Sequence, residues 1–97
     1  NRALERFSSS LSMLLKSGIS ILQALNITAK ICGNKIMEEA LGVARSNVRD
    51  GKSLSSALKK SYLFPPITVS MCDVGEETGR LDSMLDHITK YYRDELT

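Results

Sequence analysis

Apolar residues recur at intervals of three and four along almost the whole chain, and no segment alternates with period two. The first run, residues 3–17, carries Leu4, Phe7, Leu11, Leu14 and Leu15, the stripe of an amphipathic helix. Ser8, Ser9, Ser10 and Ser12 fill much of the remainder, as plain surface or as a place where a neighbour can come close. Gly18 ends this helix. Ser20, with Gln23 three positions on, caps a second helix whose inward residues are Leu22, Leu25, Ala29 and Cys32, widened by Ile21 and Ala24. Gly33 and Asn34 separate it from a third helix, about residues 34–50, with Met37, Ala40, Leu41, Ala44 and Val48 inward. Glu38 and Glu39 near its start and Arg45 and Arg49 near its end suit the helix dipole. Gly51 closes it, and Ser53 caps a short fourth helix through Lys60 with Leu54, Ala57 and Leu58 inward.

Tyr62, Leu63 and Phe64 then read as an apolar linker tucked onto the core. Pro65 and Pro66 cannot lie inside a helix but fit a helix start, so a fifth helix begins there, with Ile67, Val69, Met71, Cys72 and Val74. Gly75 and Gly79 bracket Glu76, Glu77 and Thr78, which predicts a tight helix–helix corner with its acids outward. The last helix carries Leu81, Leu85, Ile88, Tyr92 and Leu96, flanked by Met84 and Tyr91, with Asp86 and Lys90 as an i,i+4 ion pair. One stripe per helix means that each helix needs neighbours. The pattern predicts an all-α fold, an antiparallel six-helix bundle.

The stretch Gly18-Ile-Ser20 with Ala24-Leu25 matches Gly51-Lys-Ser53 with Ala57-Leu58, both of the form G-x-S-x-x-x-A-L. Two copies, without the T-P-L-H or W-x-x-L-G markers of helical repeats, read as two hairpins built by one capping solution and not as a solenoid.

Composition narrows the picture. A chain of 97 residues makes one domain, 1–97. Its 42% hydrophobic and 25% charged residues are those of an ordinary globule. The formal net charge is +2 and no Lys/Arg run exceeds two residues, so a nucleic-acid partner is not expected. Cys32 and Cys72 fall among apolar residues outside any C-x-x-C, as two core thiols of a reducing compartment, with a single disulfide in an extracytoplasmic protein as the alternative. No run reaches the ~18 apolar residues that would span a bilayer. The chain begins at Asn1 without Met and breaks off within a helical pattern, so it reads as a piece of something longer.

Candidate chemistry is sparse. His87 is the sole histidine and has no nucleophile in a fitting arrangement. Asp73, Glu76, Glu77 and Asp82 cluster about the expected corner. Asp73, Glu76 and Glu77 are weak Ca²⁺ candidates; without EF-hand spacing, solvated charge is the plainer reading. Gly42 with Ala40 and Ala44 makes a small-residue patch for internal packing or a dimer face. Gly75-x-x-x-Gly79 lacks the strand and G-K-S/T ending of a phosphate loop. No catalytic residue and no cofactor are expected.

Four stretches together resemble the type II secretion system F-protein domain. They are residues 11–25, Leu-x-x-Leu-Leu-x-Ser-Gly-Ile-Ser-Ile-Leu-x-Ala-Leu; residues 51–58, Gly-Lys-Ser-Leu-Ser-x-Ala-Leu; Phe64-Pro65; and residues 74–85, Val-Gly-Glu-Glu-Thr-Gly-Arg-Leu-Asp-Ser-Met-Leu. The likeness covers essentially the whole chain. It implies a cytoplasmic six-helix domain of a polytopic inner-membrane protein that carries two such domains and about three membrane helices. Such proteins are platforms of type II secretion and type IV pilus machines. The implied partners are the hexameric assembly ATPase, other inner-membrane assembly proteins, pilin or pseudopilin subunits and further copies of the platform itself. No catalytic activity is implied. By position the family pattern picks out Gly18, Gly51, Phe64, Pro65, Gly75, Glu76, Gly79 and Leu81, with Thr78 where serine is common. The glycines and Leu81 read as caps and core. Glu76 reads as an exposed acid without a folding role, so its replacement by Ala is expected to spare the fold and impair assembly. The Leu81–Leu85 and Tyr91-Tyr92 regions look more like the second domain copy than the first. The alternative function is a soluble helical adaptor whose corner is structural only.

Overall fold

The computed structural model describes residues 1–95. Six helices follow one another: α1 (Arg2–Lys16), α2 (Ile21–Ile31), α3 (Lys35–Arg49), α4 (Leu54–Lys59), α5 (Pro66–Thr78) and α6 (Leu81–Glu95). Each helix packs on the next, and α6 returns to α1 to close the ring. The core is the predicted one, centred on Phe7, Leu11, Leu25, Leu41, Leu58, Leu85 and Ile88. Leu96 of the expected last stripe lies outside the described residues.

The hairpin turns are made as the G-x-S pattern predicts. Gly18 sits at φ +85 and Gly51 at φ +99, both in the left-handed region that glycine enters without a β-carbon penalty. The amide of Ile19 donates to the Leu14 carbonyl, and that of Lys52 to the Asn47 carbonyl. This is the six-to-one bond that stops a helix and satisfies its last carbonyls. Ser20 then accepts from the Gln23 amide, and Ser53 from the Ser56 amide.

The α1–α6 seam is polar where a neutral surface had been one reading. Ser8 and Ser12 are buried there. The Ser8 and Thr89 hydroxyls lie 2.8 Å apart, and Ser12 donates to Asp86 at 2.6 Å. Asp86 also pairs with Lys16, and Arg93 pairs with Glu5. The pairings run in opposite order along the two helices, so they are antiparallel. Asp86 is therefore committed across the seam and not to Lys90, which pairs with Asp94 instead. The Lys16 and Ser12 hydrogen bonds hold the Asp86 carboxyl below the usual carboxylate range.

Three other expectations change. Tyr62 is 97% exposed, so only Phe64 of the linker is fully tucked in, its ring 5.1 Å from that of Phe7. α5 buries Thr68, Cys72 and Gly75, while Ile67 and Val74 stay about half exposed. Its phase is set by a 2.7 Å bond between the Thr68 and Tyr92 hydroxyls and by the close approach of α6 at Gly75. Gly42 faces open space and serves no internal packing.

Candidate functional site

The four stretches of family resemblance are separated in sequence by up to sixty residues. In the fold, three of them meet at one pole of the bundle, where α1, α3 and α5 end and α2, α4 and α6 begin. Leu15 and Ile21 flank the Gly18 turn, Val48, Lys52 and Leu54 flank the Gly51 turn, and Gly75, Glu76, Gly79, Leu81 and Asp82 come from the last turn. Together they line a depression of about 490 Å³. Its floor is apolar, and Lys52 and Asp82 stand at its rim.

Glu76 is the organising residue of this pole, in a role that differs from the expectation. It lies in the last turn of α5, half buried, and its carboxylate accepts from the Leu54 amide at 2.7 Å and the Ser55 amide at 2.9 Å. Those are the first two amides of α4. Ser53 takes the third at 3.2 Å. Glu76 and Ser53 thus satisfy three of the four amides that a helix start leaves unpaired. An anion there also complements the helix dipole. Glu76 does have a folding role: it ties α5 to the start of α4 across 22 residues of sequence. An acid at an i,i+3 or i,i+4 spacing would have announced such a role. This long-range one leaves no local signal.

The corner itself is shorter than expected. Gly75, Glu76, Glu77 and Thr78 continue α5, and the chain turns only at Gly79 and Arg80. Gly79 has φ +70, and both its amide and that of Arg80 donate to the Gly75 carbonyl. Gly75 is needed for another reason. A β-carbon there would lie 2.8 Å from the Leu81 α-carbon and 3.1 Å from Met84 Cγ. Hydrogen at that position is what lets α6 fold back tightly on α5. Leu81, half buried, starts α6 against this contact. The Thr78 hydroxyl bonds back to the Val74 carbonyl at 2.8 Å and caps no helix start.

Phe64 and Pro65 act at the opposite end of α5. Phe64 anchors the linker in the core, and Pro65 holds the extended cap position before Pro66 opens the helix. α5 is fixed at both ends, by Phe64-Pro65 and by Gly75 with Glu76.

The acids of the corner do not converge. Asp73 is exposed and lies 3.4 Å from the Ser55 hydroxyl, Glu76 directs both oxygens to α4, and Glu77 is exposed. Among the described residues no group of three or more His, Cys, Asp or Glu could hold a metal ion. His87 is exposed on α6. Cys32 and Cys72 are free and buried, and burial, then the Glu76 charge, pushes the Cys72 thiol up to about 12. A thiol held protonated at neutral pH is no nucleophile. What the pole offers is an apolar dent with a cation and an anion at its rim, set on rigidly joined helix ends. That arrangement can seat an apolar side chain of another macromolecule.

Among the described residues no helix is long and apolar enough to cross a membrane. Residues 7–97 match the sequence model of the family described as type II secretion system (T2SS), protein F. Curated relatives agree. The type IV pilus assembly protein PilC of Myxococcus xanthus (strain DK1622) is 39% identical over 94 residues, 97% of this chain and 22% of that protein. PilC of Thermus thermophilus is 40% identical over 95 residues, 97% of this chain and 23% of that protein. The type II secretion system protein F of Pseudomonas aeruginosa is 35% identical over 91 residues, 94% of this chain and 22% of that protein. The chain spans less than a quarter of the length of these relatives. With the match running from Phe7 through the joined helix ends to the last residue, this chain belongs to the family of type II secretion system protein F.

Proposed function

We propose that this chain is a non-enzymatic domain on the cytoplasmic side of an inner-membrane platform protein, in a type IV pilus or type II secretion machine. Its work is to dock the assembly ATPase and relay the motor's movement to the insertion of pilin or pseudopilin subunits. Family membership and the names of the relatives support the setting. The observation that carries the docking role is the pole where the Gly18, Gly51 and Gly75–Leu81 stretches share one apolar dent. The Glu76 tie and the Gly75 contact suit a relay, because helix ends joined by short bonds transmit displacement without bending. The buried, protonated Cys72 thiol and the exposed His87 favour a non-enzymatic role.

Lys52→Glu tests this reading without touching the cap or the core, since Lys52 is exposed and, among the described residues, makes no ion pair within 4 Å. In the full-length parent protein the variant should accumulate normally, lose co-purification with the cognate assembly ATPase and impair piliation or secretion. Unchanged co-purification together with unchanged assembly would remove this pole from the docking surface.

A further inference from the structure

We propose that the opposite pole of the bundle, where α1 and α3 begin and α2 ends, is a docking surface for the anionic headgroups of a lipid bilayer. Four cations gather there from three helices. Arg2 and Arg6 stand one turn apart on α1 and, with Glu5, Ser9 and Ser10, line a depression of about 410 Å³. Arg6 Nη1 lies 3.5 Å from where a Gly33 β-carbon would be, so its guanidinium reaches the α2–α3 turn. Lys30 in the last turn of α2 and Lys35 at the start of α3 flank that glycine. Asn1, Ala3, Asn34 and Ile36 line a second depression, so the start of α1 lies beside the start of α3. All four cations are exposed, and none makes an ion pair within 4 Å among the described residues.

The acids nearby do not cancel them. Glu5 is taken by Arg93 at 3.2 Å, and Glu95 by the Asn1 amino group at 3.2 Å. Glu38 and Glu39, in the first turns of α3, remain, so four cations less two acids leave +2 at this corner, as much as the formal net charge of the whole chain. The arrangement also runs against helix electrostatics. Arg2 and Arg6 are like charges at i,i+4, and Arg2 and Lys35 are the first residues of their helices, the ends that disfavour cations. Other helix ends follow the rule, with Asp82 in a first turn and Lys16, Arg49 and Lys59 in last turns, while Glu76 and Glu77 at the end of α5 depart from it and Glu76 is compensated by the α4 amides. Local rules broken without internal compensation mark positions held for function. An anionic surface supplies the missing compensation, and guanidinium groups suit lipid phosphates in particular. The choice of a bilayer rests on the proposed membrane-bound parent. A domain tethered beside a membrane meets it at high effective concentration, so weak attraction suffices. This face leaves no signal in sequence, because the four residues come from three segments with no basic run.

Co-sedimentation of the chain with vesicles tests the proposal. Vesicles with about a third phosphatidylglycerol should bind it, pure phosphatidylcholine vesicles should not, and raising salt from about 0.1 M to about 0.5 M should abolish binding. Each cation near such a surface is worth roughly fivefold in partition, so Arg2→Gln with Arg6→Gln should lower it about 25-fold. The control Arg49→Gln with Arg80→Gln, two exposed cations of the other pole, has the same net charge and should bind as the parent chain does. The Arg2 and Arg6 double variant should melt at or above the parent temperature, since like charges at i,i+4 near a helix start are removed. Equal binding to both vesicle types, or equal loss in the two double variants, overturns the proposal. Release by a few millimolar inorganic phosphate at constant ionic strength also overturns it, because the pole would then be a site for free phosphate. ATPase docking is read at Lys52, at the other pole, so either proposal can fail alone.

Discussion

Removing the Glu76 carboxylate unseats the start of α4. α4 has six residues, too few to be held by its own backbone bonds. Glu76 supplies two acceptors to its first amides at 2.7 and 2.9 Å. Hydrogen bonds to a charged group contribute about 1.5–3 kcal/mol each when buried. Glu76 is half buried, and in its absence water reaches part of the exposed amides, so about 2 kcal/mol in total is the expected loss for Glu76→Ala, the upper range for a helix cap. Glu76→Gln keeps one oxygen acceptor and loses the charge, for about 1 kcal/mol. For a chain of this size these figures correspond to melting-temperature drops of about 8–16 °C and about 4–8 °C. Urea denaturation followed by circular dichroism measures both.

Hydrogen exchange localises the effect. The Leu54 and Ser55 amides, left without acceptors, should exchange faster in the Ala variant by more than the roughly 30-fold that a global loss of 2 kcal/mol, at about 1.4 kcal/mol per tenfold, gives every amide that opens only by unfolding. Amides of the α1–α6 seam should change only by the global loss. An Ala variant within about 0.5 kcal/mol of the parent, or Leu54 and Ser55 amides exchanging at parental rates, would refute the capping account. The result bears on function as well. A failure of assembly in Glu76→Ala reports a docking pole with its geometry lost, so it cannot be scored as a lost contact to a partner.

The two helical glycines should respond to alanine with opposite signs. Gly42→Ala meets open space and gains helix propensity, for up to ~1 kcal/mol of stabilisation, whereas Gly75→Ala drives a β-carbon to 2.8 Å from the Leu81 backbone and should cost about 1–3 kcal/mol, both read from urea midpoints. Cys72 sets an alkaline limit. Its folded thiol is raised from 9.0 to about 12, so the unfolded chain sheds this proton first and stability falls as pH rises from about 9 towards 12, by about 1.4 kcal/mol per unit. Between pH 8 and pH 10.5 the parent should lose clearly more stability than Cys72→Ala, and parallel losses in the two proteins would refute the assignment.

Periodicity made the fold legible because each helix has one apolar stripe and each turn is local. Leu11, Leu25, Leu41 and Leu85 could be placed inside from spacing alone, and the Gly18 and Gly51 turns from a glycine followed two residues later by a serine. α5, the helix with the weakest single stripe, is the one whose buried face departs from the spacing. Its inward residues are Thr68, Cys72 and Gly75, two of them polar or side-chain-free, and Thr68 and Gly75 are inside because of partners on α6. The buried serines of α1 follow the same rule, since Thr89 and Asp86 are what make burying Ser8 and Ser12 favourable. The site failed to show in sequence for this reason, carried further. Glu76 looked like surface charge beside Glu77, yet its carboxylate is spent on amides 21 and 22 residues upstream. A polar residue's role is fixed by what the fold sets opposite it, while a leucine's is fixed by its own spacing. The docking dent and the cationic pole are both defined by residues of the first kind, brought to the two ends of the bundle by a core made of the second.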